Sequence, residues 1–220
     1  MNCTVIDNVE ITWLGNASFR LRGDDVTIYL NPSGLSGNIP LEDMADIILL
    51  TNEHPQSFDT ESIRIVRNSC TTTLLPENMS LQFRGDARRV EAGDELVDDL
   101  CIKGIPIEVV PSYKKGLSSS SKEAGVGYII TLGGKKIYYS GITGKIPEMN
   151  TVSADIVILL IGDYTMNEEQ AAEVVAIMAP RVVIPVSYAY ASVPSTNMLK
   201  FKEKVYSKVP DVKVLLPEDF

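Results

Sequence analysis

The chain has 220 residues, 45% of them apolar and 22% charged, a composition that excludes disorder and coiled coil and suits one large domain or two small ones. A chain of that size buries roughly 70% of the surface its unfolded form exposes, so its core needs neither disulfides nor a structural metal. The formal charge of −9 repels phosphate backbones and anionic lipid heads, which sets nucleic acid and membranes aside as partners.

Cys3, Cys70 and Cys101 are odd in number and show no CxxC spacing, as expected of reduced packing thiols in a cytoplasmic protein. Met1 to Glu10 carries Asp7 and Glu10 where a secretory leader has a basic start and an apolar run. The longest apolar stretch, Ile156 to Ile161, is far shorter than the roughly 20 residues of a membrane span.

Ile11–Leu14, Ser18–Leu21 and Val26–Leu30 read as strands of a meander, separated by Gly15-Asn16 and by Arg22-Gly23-Asp24-Asp25, where Gly and Asp suit tight hairpins. Asp46-Ile47-Ile48-Leu49-Leu50 is a continuous apolar run, the pattern of a strand covered on both faces. It opens into the polar turn Thr51–Ser57, the kind of strand end where sites form. Asp59 is placed to cap a short helix to about Arg67. Strands follow at Thr72–Leu75, Arg88–Glu91, Leu100–Lys103 and Ile105–Pro111, with Gly93-Asp94 as a turn. The second half alternates strand and helix. Val126–Leu132 and Lys135–Tyr139 flank a Gly133-Gly134 hairpin, and Asp155–Ile161 is a further buried strand. Asn167 and Gln170 make a capping box ahead of Ala171, Val174, Val175 and Met178, which share one helical face before Pro180. Val182–Val186 and Val212–Leu215 are strands around a last helix from about Ser195 to Ser207. No linker divides the chain, so residues 1–220 are expected to form a single domain.

Four segments carry a resemblance to a known family. They are Thr12–Phe19 (TWLGNASF), Leu50–Asp59 (LTNEHPQSFD), Ile137–Gly144 (IYYSGITG), and Ile161–Met166 leading to Ile184–Tyr188. In this order they resemble the metallo-β-lactamase fold, and within it the branch of ascorbate-6-phosphate lactonase and related Zn-dependent hydrolase-like proteins. The resemblance implies an α/β fold, a four-layer αββα sandwich with its site at the strand ends between two sheets. It also implies where the ligands fall. In the family's Thr-His-x-His-x-Asp-His segment, Asn52 replaces the first histidine, His54 is kept, Gln56 replaces the aspartate and Ser57 the third histidine. Ile142, beside Thr143, stands where the aspartate of Gly-Asp-Thr bridges the metals. Ser187 replaces the histidine of Pro-x-His-Tyr, Asn16 that of Leu-Gly-His, and Ser120 that of His-Pro-Lys.

Catalytic zinc takes imidazole nitrogen or carboxylate oxygen from about three protein ligands. His54 is the only histidine, and the replaced positions offer neutral oxygens or, at Ile142, nothing. Bound zinc activates water by on the order of 12 kcal/mol, against roughly 3 to 5 kcal/mol for a lone general base. The first expectation is therefore a metal-free, degenerate protein with no cofactor, acting in small-ligand binding or assembly, with a homo-oligomer left open. Its neutral pocket would comprise Asn16, Asn52, His54, Gln56, Ser57, Ile142, Thr143 and Ser187, and would suit an uncharged or sugar-like ligand. The alternative is a metal-dependent hydrolase of a lactone or phosphoester, its zinc or manganese site rebuilt around His54 with Glu53 or Asp163. A third reading is metal-independent hydrolysis by His54 and Ser57. Asp59 supplies the third residue type of a triad but is better used as a helix cap. Lys114, Lys115 and Lys122, around Ser118–Ser121, form a candidate lid that would attract an anion at the cleft mouth.

Overall fold

The computed structural model describes residues 2–54, 57–82, 85–114, 116–118, 124–162, 165–187, 196–216 and 219–220. Their strands form two seven-stranded sheets. The first runs in spatial order β1 (Asn2–Ile6), β2 (Val9–Gly15), β3 (Ser18–Gly23), β4 (Val26–Leu30), β5 (Ile47–Leu49), β6 (Thr72–Pro76) and β7 (Ala87–Val90). It is antiparallel from β1 to β4 and parallel from β4 to β7. The second contains β8 (Glu95–Leu96), β9 (Ile107–Ser112), β10 (Gly125–Leu132), β11 (Lys135–Tyr139), β12 (Ile156–Leu160), β13 (Val182–Val186) and β14 (Lys213–Val214), again in sequence order. It is antiparallel from β8 to β11 and parallel from β11 to β14.

The apolar runs follow from a sandwich in which a strand has core on both sides. Along β12, Ile156, Ile158 and Leu160 face the other sheet, while Val157 and Leu159 face helices; along β5, Ile47 and Leu49 point inward and Ile48 outward. Helix α1 (Thr60–Val66) covers the outer face of the first sheet, and α2 (Glu168–Met178) and α3 (Thr196–Lys208) cover that of the second. This is the four-layer αββα sandwich the resemblance implied. The capping box is present, with Asn167 Oδ1 accepting from Gln170 N at 2.9 Å and Gln170 Oε1 from Asn167 N at 3.2 Å. Asp59 Oδ1 caps α1 by accepting from Ser62 N at 2.6 Å.

Two expectations need correction. Leu100–Lys103 is not a strand: a short 3-10 turn, Asp98–Leu100, leads to a reversal in which Lys103 (φ 55°) and Gly104 (φ 77°) turn the chain between Ile102 and Ile105. The cysteines are free but do not pack in the core, because Cys3 lies exposed on edge strand β1, Cys70 is exposed after α1, and Cys101 is half-buried. Strand β1 itself carries no clear periodic signal. Ser195, the expected start of the last helix, is outside the described residues. Among the described residues, no helix is long and apolar enough to cross a membrane.

The strand directions gather one set of ends on a single edge. The C-terminal ends of β4, β5 and β6 from one sheet, and of β9, β11, β12 and β13 from the other, all open there, as does the start of β10.

Candidate functional site

At this edge the two sheets touch. Val126 N donates to Thr51 O at 2.8 Å, and the Tyr128 hydroxyl donates to Leu50 O at 2.7 Å. Glycine makes the approach possible. A Cβ on Gly125 would collide with the Thr51 carbonyl, and one on Gly141 (φ +62°) would stand 2.8 Å from Val126 O and 3.1 Å from Thr51 Cβ. Behind the contact lies a buried network. Asn31 Nδ2 donates to Thr51 Oγ1 at 2.8 Å and to the Tyr139 oxygen at 3.0 Å, while Asn31 Oδ1 accepts from Thr51 N at 3.0 Å. The Tyr139 hydroxyl donates to Ala17 O at 2.6 Å.

Beyond Thr51 the chain makes a tight local turn, in which Asn52 Oδ1 accepts from Ser57 Oγ at 2.6 Å and from His54 N at 3.1 Å, and Ser57 N donates to His54 O at 2.8 Å. From the other sheet, the turn after β11 is stitched to the end of β9. Thr143 Oγ1 accepts from Tyr113 N at 3.3 Å and donates to Tyr113 O at 3.1 Å, and Gly144 N donates to the same carbonyl at 2.9 Å. Together these turns wall a cavity of about 260 Å³, lined by Asn52, Glu53, His54, Asn78, Lys114 and Ile142, with Ala124 at its side. Burial, and then the Lys114 ammonium, hold the His54 imidazole below its usual range, so the ring is neutral near pH 7. The Glu53 carboxyl is held low by Ser80, whose hydroxyl and backbone N–H both donate to it, and further by the charge of Arg89.

Of the residues expected in the pocket, Asn52, His54 and Ile142 therefore line one cavity. Ser57 is buried behind it, one hydrogen bond away through Asn52. Thr143 is buried and engaged with Tyr113. Asn16 sits in the β2–β3 turn with φ 46°, its carbonyl accepting from Trp13 Nε1 at 3.0 Å. Ser187 follows β13 on the same edge, its Oγ 3.7 Å from where a Gly162 Cβ would stand. Gln56, Lys115, Ser120, Lys122 and Asp163 lie outside the described residues. No Ser–His–Asp triad forms, because the Asp59 carboxylate is spent on Ser62 N, Ser62 Oγ and Gly34 N. Sequence reasoning missed Asn31, Tyr139 and Asn78. Asn31 leaves one signal, a residue tolerant of positive φ (45° here) just before Pro32 at a strand end. Asn78 leaves none, since it reaches the cleft only through the pairing of β6 and donates to Ala124 O at 2.6 Å.

Among the described residues, no three His, Cys, Asp or Glu side chains form a group that could hold a metal ion. The cavity wall offers one imidazole. Asn52 Oδ1 already accepts two hydrogen bonds, and the Glu53 carboxylate is taken up by Ser80. The described side chains taken alone do not fit a zinc centre, which needs about three such donors. Asp163, the carboxylate considered for a rebuilt site, follows Gly162 just beyond β12, outside the described residues.

Residues 10–187 match the family model described as a Beta-lactamase superfamily domain, and the chain belongs to that superfamily. It is 26% identical over 228 residues to a UPF0173 metal-dependent hydrolase of Methanopyrus kandleri, covering 96% of this chain and 97% of that protein. It is 29% identical over 220 residues to a UPF0173 metal-dependent hydrolase of Methanosarcina barkeri, covering 94% and 95%. The solved structure of Igni18, a metallo hydrolase from Ignicoccus hospitalis, superposes with a TM-score of 0.73 at 27% identity, covering 94% of each chain. These relatives overturn the expectation of a degenerate protein lacking hydrolase activity, and with it the expectation of no metal cofactor. Both expectations counted ligands only at the superfamily's own positions. A cation requires donors at bonding distance, wherever in the chain they originate.

Proposed function

We propose that this protein is a metal-dependent hydrolase of a lactone or phosphoester, its reaction centred in the cleft at His54. The observation that carries the reading is the placement of the chain's single histidine, as a neutral ring, in the wall of a cavity at the strand edge. Metal dependence comes to this chain from its nearly full-length relatives, which are named metal-dependent hydrolases. A neutral imidazole suits either a cation or a water proton. The four segments similar to the ascorbate-6-phosphate lactonase branch support a lactone as one substrate class. The free cysteines support a reducing, cytoplasmic setting.

The test begins with elemental analysis of protein purified without chelator. Turnover of lactones and phosphodiesters is then followed as isolated, after chelation, and after return of Zn²⁺ or Mn²⁺. We expect about one divalent ion per chain, and activity lost on chelation and restored by the ion. His54→Ala should lower kcat/KM by about 100-fold or more. Turnover that survives chelation, or a His54→Ala protein as active as the parent, overturns the reading.

A further inference from the structure

We infer that a second cavity, on the outer face of the second sheet, binds a small organic cation. The ligand is an alkylammonium whose hydrocarbon body lies on the sheet and whose N–H groups reach the Tyr138 hydroxyl and a rim of carboxylates.

The cavity has a volume of about 280 Å³ and lies between β9, β10, β11 and the short 3-10 segment Pro147–Thr151. Its apolar surface comes from Val110, Ile129 and Tyr138 on the strands and from Ile146 and Met149 at the 3-10 segment. Among the described residues it shares none with the His54 cavity.

Tyr138 is only 1% exposed, and a phenol buried so deeply ordinarily finds a hydrogen-bond partner. Its hydroxyl has none among the described residues. Burial alone acts on it, pushing it above the usual phenol range, so it stays protonated and offers both a hydrogen and a lone pair. Nor is it sealed in. Among the described residues, the fully enclosed side-chain atoms without a partner belong to Arg20, Ser33, Thr73 and Ser112, so the Tyr138 oxygen keeps some surface, and the cavity is the open space that Tyr138 borders.

The rim is formed by Asp94, Glu95, Glu108 and Glu148. Leu96, Ile107 and Val109 point into the core, so by alternation Glu95 and Glu108 stand on the outer face. They are direct partners across β8 and β9, where like charges repel. Lys136 Nζ lies 2.8 Å from Glu108 Oε1, while Glu95 is exposed and has no ion pair among the described residues. Asp94 and Glu148 are met by neutral donors, the Glu91 N–H at 2.9 Å and the Tyr113 hydroxyl at 2.8 Å. A bound cation would relieve the repulsion across β8 and β9 and give the phenol oxygen its missing donor. A metal ion does not suit the place, because among the described residues no three such side chains close on one point. An ammonium on a hydrocarbon body matches both the spaced carboxylates and the apolar floor, in a volume near the small end for ligand sites.

Methyl chemical-shift titration of the full-length protein, labelled at Ile and Met, reads location and weak affinity together. Ile129, Ile146 and Met149 border this cavity, and Ile142 borders the His54 cleft. The probes are n-hexylammonium, 1-hexanol and hexanoate at low ionic strength. We expect n-hexylammonium to shift the first three signals and to bind about 10-fold tighter than 1-hexanol, with hexanoate weakest. Tyr138→Phe should weaken n-hexylammonium about 10-fold without lowering the urea midpoint, since the hydroxyl has no bond to lose among the described residues. Glu95→Lys, a change at an exposed position, should weaken it to a similar degree, about 10-fold. The inference is overturned if the three signals do not respond to n-hexylammonium, if Ile142 responds in their place, or if 1-hexanol or hexanoate binds as tightly. Parent affinity in either variant also overturns it. If Tyr138→Phe lowers the urea midpoint, Glu95→Lys decides alone, a loss of affinity supporting the inference and an unchanged value overturning it.

Discussion

At the end of the sandwich opposite the cleft, the turns are closed by carboxylates, whereas the buried contact between the sheets at the cleft end is closed by amides and hydroxyls. Asp24 Oδ2 accepts from Gly133 N at 2.6 Å, tying a hairpin of one sheet to a hairpin of the other. Asp46 Oδ2 accepts from Thr27 N at 2.9 Å, Asp155 Oδ2 from Lys136 N at 3.0 Å, and Asp7 pairs with Lys135 and Arg181. At the cleft end the equivalent ties are made by Asn31, Thr51 and Tyr139, all buried, and by Asn52 with Ser57. A carboxylate at a wet turn keeps most of its hydration, so it caps backbone N–H groups at little cost. Where the sheets converge, a charge would lose that hydration. An amide there also serves both needs of its neighbour. Asn31 donates to Thr51 Oγ1 and accepts from Thr51 N, which an ionised carboxylate cannot do because it has no donor.

Perturbing each end in turn tests this contrast. The largest effect is expected at the contact between the sheets. Gly125→Ala puts a methyl group into the Thr51 carbonyl and should lower stability by about 3 kcal/mol, read from the urea midpoint. Next is Tyr139→Phe, which strips a buried acceptor from Asn31 Nδ2 and a donor from Ala17 O. A loss of about 2 kcal/mol is expected in the same measurement.

The smallest effect belongs to the wet end. The Asp7 carboxyl lies below its usual range, first through its hydrogen bond from Lys135, and then through the charges of Lys135 and Arg181, which outweigh the opposing effect of burial. A depressed native pKa stabilises the fold at pH values above the unfolded carboxyl's, about 3.9. That contribution disappears as pH falls through the lower native value. Melting curves of Asp7→Asn and the parent, taken from pH 6 to pH 2, should therefore differ slightly at the upper end, converge at the lower end, and converge at any pH in high salt. If Asp7→Asn costs more than Tyr139→Phe, the contrast between the two ends is wrong.

How much of this was legible depends on how local each feature is. The Asn167–Gln170 box involves residues three apart, and the Gly133-Gly134 turn (φ 56° and 72°) needs two adjacent glycines, so both can be read directly. The bounds of β4, β11 and β13 are those expected, since their apolar runs are bounded by polar or turn residues. Strand β1 escaped because Cys3 and Val5 face solvent, and its order comes from pairing with β2. At the site, His54 stood out as the only histidine, and its neighbours Asn52 and Ile142 became visible through the family resemblance. Asn31 did not, its one local signal being its place before Pro32 at a strand end, and Asn78 did not, because nothing within several residues of it marks a role.

By itself, then, the sequence determined the periods of strands and helices, their caps and turns, and that the chain has a single histidine, His54. These depend on neighbours a few residues apart or on composition. Only the tertiary structure decided that Asn78 and Lys114 join Ile142 and His54 in one wall. Those residues lie on four strand ends from two sheets, and they meet because Gly125 and Gly141 leave room for backbone where any side chain would hold the sheets apart.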